Sequence, residues 1–171
     1  GASFSIYAYE VLKKELNQID ELQFIFSSPT FIEENLKKDA RQFYIPHIYN
    51  EADLCGGDFE LRLKNQLNQR AIAKECAEWV KKKVTFKSNK NRTPLNGLIY
   101  VEGKDKQEFA YSGISSFTTS DLGLTQRKGF PTLIQQTDYP SSRAYLEWFR
   151  QIWENEEDLT DVSNKVRDYF E

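Results

Sequence analysis

The chain has no methionine, a single histidine (His47) and only two cysteines, Cys55 and Cys76, in 171 residues. Each scarcity excludes a class of chemistry. Two isolated thiols and one imidazole lack the closely spaced pairs of a structural zinc site, so no metal is expected. A small secreted scaffold would carry a denser, even set of cysteines; Cys55 and Cys76 therefore read as reduced thiols of a cytoplasmic protein. No segment approaches the roughly eighteen consecutive apolar residues of a membrane span, and no membrane partner is expected. The opening GASFSIYAYE has no basic stretch leading into an apolar one, so no secretory signal is visible. A chain without even an initiator methionine is what a fragment cut from a longer protein would show. Glycine patterns are equally negative. With neither a G-x-x-x-x-G-K-[ST] loop nor a G-x-G-x-x-G turn after a strand, no nucleotide is expected on this fragment.

The residues that are present read as a single α/β domain over 1–171, since a chain of this length buries one adequate core. Ile6, Tyr9, Leu12, Leu16 and Ile19 recur at helical spacing, and LQFIFS from Leu22 to Ser27 is short and apolar enough for a strand buried on both faces. Residues 59–83 predict a long helix or two, with Leu63, Leu67 and Ala71 in one stripe and Ile72, Cys76 and Trp79 in another. Val84 to Phe86 predicts a strand, and Leu98–Glu102 and Phe109–Ser112 a hairpin around the polar turn GKDKQ. Thr132 to Thr137 is a further strand candidate. Ser141 or Ser142 is placed to cap a helix with Tyr145, Trp148, Phe149 and Ile152 on its apolar face. Leu159, Val162, Val166 and Tyr169 repeat that spacing in a last helix. The alternation predicts a layered sandwich with a mixed β-sheet flanked by helices.

Two charge blocks interrupt this pattern. KKKVTFKSNKNR holds six cations and no acid: Lys81, Lys82, Lys83, Lys87, Lys90 and Arg92. ENEEDLTD, from Glu154 to Asp161, holds five acids and no cation. The separation predicts an asymmetric field in which the cations contact phosphates, or else a solvated helix end whose lysines complement the helix dipole. His47, set in YIPHIY, is either a structural residue or a general base in an unfamiliar register, because no serine or cysteine partner is visible beside it.

From Leu95 to Leu124 the sequence LNGLIYVEGKDKQEFAYSGISSFTTSDLGL resembles the second half of a phospholipase D-like domain. That family carries H-x-K-x-Y on one strand, then a turn and a strand leading to G-S-x-N-F-T and a glycine–leucine pair. Tyr100, Gly113, Ser115, Phe117, Thr118, Leu122 and Gly123 fit the frame. The reactive positions do not. Asn96 stands at the nucleophilic histidine, Leu98 at the phosphate-binding lysine, and Ser116 at the usual asparagine, with Ser115 beside it. The resemblance implies phosphodiester cleavage through a phosphohistidine. A carboxamide is a poor nucleophile and a leucine neutralises no phosphate, so no catalytic residue is expected in this chain.

A broader similarity includes YAYEVLKKEL, DELQFIFSSPTF, AKECAEWVKKKVTFKS and FRQIWENEEDLTDV. These segments resemble the N-terminal domain of bacterial Swi/Snf-type helicases. That implies a phospholipase D-like fold and, elsewhere in the parent chain, a helicase core using ATP and Mg. Nucleic acid is the implied partner, DNA ahead of RNA. A protein-interaction or homodimerisation module is the alternative reading, and a residual phosphodiesterase using His47 a third.

Overall fold

Ser5 starts the first helix because its buried hydroxyl accepts from the Tyr7 and Ala8 amides at 3.1 and 3.3 Å, satisfying two orphan donors of the first turn. The structure is a computed structural model describing residue 1 and residues 3–32, 66–105, 107–125 and 133–171. Helix α1 spans Ile6–Leu16 and is followed by strand β1, Leu22–Phe26. Helix α2, Gln66–Lys83, leads directly into β2, Val84–Asn89. Strands β3 (Leu98–Glu102), β4 (Glu108–Ser112) and β5 (Gln135–Asp138) come next. Helix α3, Ser142–Trp153, strand β6, Leu159–Asp161, and helix α4, Ser163–Phe170, complete the described chain.

These strands form two three-stranded sheets rather than one. In the first, β2 lies between β1, with which it is parallel, and β6, with which it is antiparallel. The second is an antiparallel meander of β3, β4 and β5. The α/β class holds, whereas the expected single mixed sheet is replaced by one small mixed sheet and one antiparallel sheet. Helices α1, α2 and α4 supply the core of the first sheet, while α3 packs on β3 and β4.

The α1 stripe packs as its spacing requires: Ile6, Tyr9 and Leu16 are buried, and Leu12 and Ile19 pack against the core. On α2, Ile72, Cys76 and Trp79 face inward, whereas Ala71 is exposed. Leu63, the Leu67 side chain and Thr132 lie outside the described residues. Two other expectations are corrected. The helix assigned from Leu159 begins only at Ser163, because Leu159 pairs with Asn89 in β6; Phe170, not Tyr169, then turns into the core. Ser141 does stand at the N-cap of α3, but in helical conformation and without a side-chain capping bond, and the Ser142 hydroxyl is buried.

Aromatic rings fill the centre. Phe4, fully buried, stacks on Phe117 with centroids 5.1 Å apart and meets Phe86 edge-on at 5.1 Å and Phe24 at 5.7 Å. A parallel bridge joins Phe4 to Phe117, the Phe117 amide donating to Ser3 O at 2.8 Å and the Ser5 amide to Phe117 O at 2.9 Å. Residues 3–5 thus tie the helical half to the segment that follows β4. Replacing Phe4 by Ala is expected to cost about 3–5 kcal/mol, by lost burial and an unfilled cavity, in a denaturant titration. The exposed Val11→Ala is expected to stay within about 0.5 kcal/mol.

Burial, reinforced by the nearby Glu75 carboxylate, pushes the Tyr9 hydroxyl up to about 12. Burial and then Glu108 push Tyr100 up to about 12 as well. A phenol is neutral when protonated. A raised folded value therefore contributes stability that is complete below the ordinary value of 10.0 and is lost as pH climbs through about 12. An ultraviolet phenolate titration is expected to show Tyr9 and Tyr100 ionising late, with unfolding free energy declining across the same interval. Ionisation of all tyrosines in one step near pH 10 would refute this.

Candidate functional site

The β3–β4 hairpin gathers the positions that the resemblance singles out. Leu98 begins β3 and pairs with Ser112 across the ladder, and the Gly113 amide donates to Gly97 O at 3.2 Å. A Cβ on Gly97 would lie 2.5 Å from Ile114 O, so the strand leading out of Asn96 runs against the backbone leading into Ser115. Gly113, at φ +91°, is pressed equally hard: a Cβ there would meet Leu133 O at 2.1 Å. Asn96, Leu98, Ser115 and Ser116 are therefore brought to one corner. Asn96 and Ser115 are exposed, Leu98 is half-buried and Ser116 is buried.

The corner offers a carboxamide, two hydroxyls and a hydrocarbon. None of these is an imidazole or a fixed cation, so it holds neither the nucleophile nor the counter-charge that phosphoryl chemistry needs. Among the described residues no group of three or more His, Cys, Asp or Glu could hold a metal ion. His47 and Cys55 lie outside the described residues. Cys76 is fully buried, and burial followed by the Glu75 charge pushes its thiol far above the usual range, which makes it a packing residue rather than a nucleophile.

The cationic run does not form one strip. Its middle is β2, the central strand of the first sheet, so its two ends are separated by roughly 17–20 Å of strand. At one end Lys83 Nζ donates to Asn17 O at 2.7 Å and Ile19 O at 2.6 Å, closing the carboxyl end of α1. Within β2, Lys87 Nζ donates to Trp153 O at 2.7 Å at the end of α3 and stands 4.5 Å from the Trp153 ring centroid. At the far end Lys90 Nζ donates to Glu156 O at 2.8 Å. Lys81, Lys82 and Arg92 remain exposed.

The acidic block also departs from its expected place. Pairing of β2 with β6 sets Lys87 opposite Asp161, and the turn before β6 lies against Lys90–Thr93. Among the described residues, segments of opposite sign that are far apart in sequence are thus neighbours in space.

Two polar clusters escaped sequence reasoning. Glu108, 4% exposed, is held by Arg143 Nη2 at 2.6 Å, and on the same face of the hairpin Tyr100 lies diagonally across from it. The Tyr100 hydroxyl and Glu108 Oε2 are both buried without a hydrogen-bond partner among the described residues, and after burial it is Glu108 that raises the Tyr100 hydroxyl. Asn89, also buried, donates from Nδ2 to Ser27 O at 3.1 Å and Thr93 O at 2.7 Å. Its neighbour Ser88 accepts from the Thr30 amide at 2.8 Å. Neither cluster has a local signature, because the hydrogen bonds that close it join residues 35 to 62 positions apart, the Asn89–Thr93 bond excepted. Compared with family models, curated proteins and solved structures, the chain matches none.

The division among lysines is open to a direct check. Lys83→Met and Lys87→Met are each expected to cost about 1.5–3 kcal/mol, because each leaves helix-end carbonyls without a charged donor. Lys81→Ala and Lys82→Ala are expected to fall within about 0.5 kcal/mol. Equal thermal stability across the four variants would contradict the assignment.

Proposed function

We propose that this chain is a non-catalytic phospholipase D-like layered sandwich from the N-terminal part of a Swi/Snf-type helicase, and that it positions nucleic acid, DNA ahead of RNA, relative to an ATP-driven motor elsewhere in the parent chain. The observation that supports the reading is the corner: the backbone at Asn96–Leu98 lies against that of Ile114 and Ser115, and Asn96, Leu98, Ser115 and Ser116 supply no imidazole and no counter-charge. A motif assembled in space without its reactive groups fits a retained scaffold better than a working esterase. Contact with nucleic acid then falls to Lys81, Lys82 and Arg92, whose side chains are exposed, with the exposed Lys90 beside Arg92 giving one of its three ammonium donors to Glu156 O.

A second reading, a protein-interaction or homodimerisation module, is favoured by one feature. Ile99, Val101, Phe109 and Tyr111 share the face of the β3–β5 sheet opposite Glu108 and α3, where Val101 remains 44% exposed and the flanking Ile134 also 44%. Sedimentation across micromolar concentrations separates the two, since a strictly monomeric chain removes the homodimer form.

Filter binding with labelled duplex and single-stranded DNA at two salt concentrations tests the first reading. The chain is expected to bind at low salt and to weaken as salt rises. The triple variant Lys81→Ala, Lys82→Ala, Arg92→Ala is expected to flatten the salt dependence by up to about 0.9 log units per lost duplex contact. No turnover of a phosphodiester reporter is expected from the unaltered chain. Undetectable binding at low salt, or binding indifferent to the triple change, sinks the nucleic-acid role, and measurable turnover sinks the non-catalytic one.

A further inference from the structure

The turn between α3 and β6 is built rather than incidental. Asn155 Oδ1 accepts from the Glu157 and Asp158 amides at 3.1 and 3.4 Å, and its Nδ2 donates to Asp158 Oδ2 at 2.9 Å. The carboxylate so oriented accepts, through Oδ1, from Asn91 Nδ2 at 2.9 Å and the Thr93 hydroxyl at 3.3 Å. Backbone contacts complete the clasp: the Lys90 amide donates to Asp158 O at 2.7 Å, and Asn91 Nδ2 to Glu157 O at 3.1 Å. Within it Arg92 is held at φ +55°, a conformation that non-glycine residues adopt at a cost and that the surrounding bonds must impose. The loop from Lys90 to Thr93 is thus fixed against a turn that carries Glu156, Glu157 and Asp158.

Only Asp158 uses its carboxylate to hold the loop. Glu156 and Glu157 contribute backbone carbonyls and keep exposed side chains, so their negative charge is not what closes the clasp. Their backbone carbonyls nevertheless hold them against Lys90 and Asn91, next in sequence to the exposed Arg92. We infer that Glu156 and Glu157 form an intramolecular electrostatic brake, competing with phosphates for the Lys90–Arg92 loop and holding the affinity of the chain for polyanions low. The inference rests on the nucleic-acid reading above and assigns a regulation to that surface. Like-signed charges beside a phosphate contact lower the local anion concentration, and the effect is confined to about one Debye length, so it grows at low salt.

The experiment compares the unaltered chain with Glu156→Gln/Glu157→Gln on labelled single-stranded and duplex DNA at low and physiological salt. Glu102→Gln/Glu147→Gln serves as a control of equal charge change. The amides preserve the backbone carbonyls that Lys90 and Asn91 use, so thermal stability is expected to be unchanged. Affinity is expected to rise about three- to tenfold at low salt in the first variant and clearly less in the control, the order expected from two charges near a phosphate path in high dielectric. Adding Arg92→Ala to the first variant is expected to remove most of the gain. Binding by the unaltered chain with equal gains in variant and control overturns the brake and leaves the nucleic-acid reading standing. Absence of binding by every form at low salt overturns that reading and the brake with it.

Discussion

The position of one ring governs the rest of the molecule. Phe4 is fully buried and is in ring contact with Phe24, Trp79, Phe86, Phe117 and Phe170, which come from β1, α2, β2, the segment after β4 and α4. Aromatic pairs with centroids near 5–6 Å add to the burial that each ring already contributes. Because the backbone on both sides of Phe4 exchanges hydrogen bonds with Phe117, the ring cannot move without moving that segment. The next residue, Ser5, caps α1, so one short stretch sets both the start of the first helix and the placement of Ser115–Phe117 beside the first sheet. The corner at Asn96 inherits its position from this packing, through the contact of Gly97 with Ile114 and Ser115.

What the sequence made legible was periodic. The α1 stripe, the inward row Ile72–Cys76–Trp79 and the β3–β4 hairpin follow from local spacing, and their burial agrees with it. The misreading of Leu159 shows where periodicity fails. Leu159, Val162 and Val166 are all buried, as the helical spacing implies, but a three-residue strand satisfies the same burial and gains ladder bonds to β2. Ser141 illustrates a complementary limit. Its place ahead of an amphipathic run is the usual sign of a cap, yet Pro140 O and Ser141 O accept the first amides of α3, and the hydroxyl has no capping role. The true cap, Ser5, sits inside an opening segment whose burial only the tertiary fold reveals.

Charge was the least legible property, because sequence records which charges are consecutive and folding decides which are adjacent. Lys81 to Arg92 reads as one cationic block, but a buried central strand divides it, and Lys83, Lys87 and Lys90 are bonded to carbonyls at helix ends and in a turn. The acidic block is brought alongside by the β2–β6 pairing. The Glu108–Arg143 pair likewise spans 35 residues and joins a strand to the first turn of a helix. Surface cations engaged in this way are tethered to protein acceptors by one or two of their three ammonium donors, so a count of lysines overstates the affinity freely available to a polyanion.

The same distinction separates backbone from side chain at the corner. Gly97 and Gly113 pack so closely against Ile114 and Leu133 that no larger residue fits without a shift in the main chain. These contacts fix the path of the hairpin whatever occupies positions 96 and 98. A scaffold specified by ring packing and glycine contacts can therefore lose a reactive imidazole and its cation with little effect on its shape, whereas the reverse loss would leave reactive groups without geometry. On the phospholipase D-like reading, that ordering explains how a chain with Asn96 and Leu98 still assembles the corner, and why its remaining use would be to hold a partner in place rather than to cleave it.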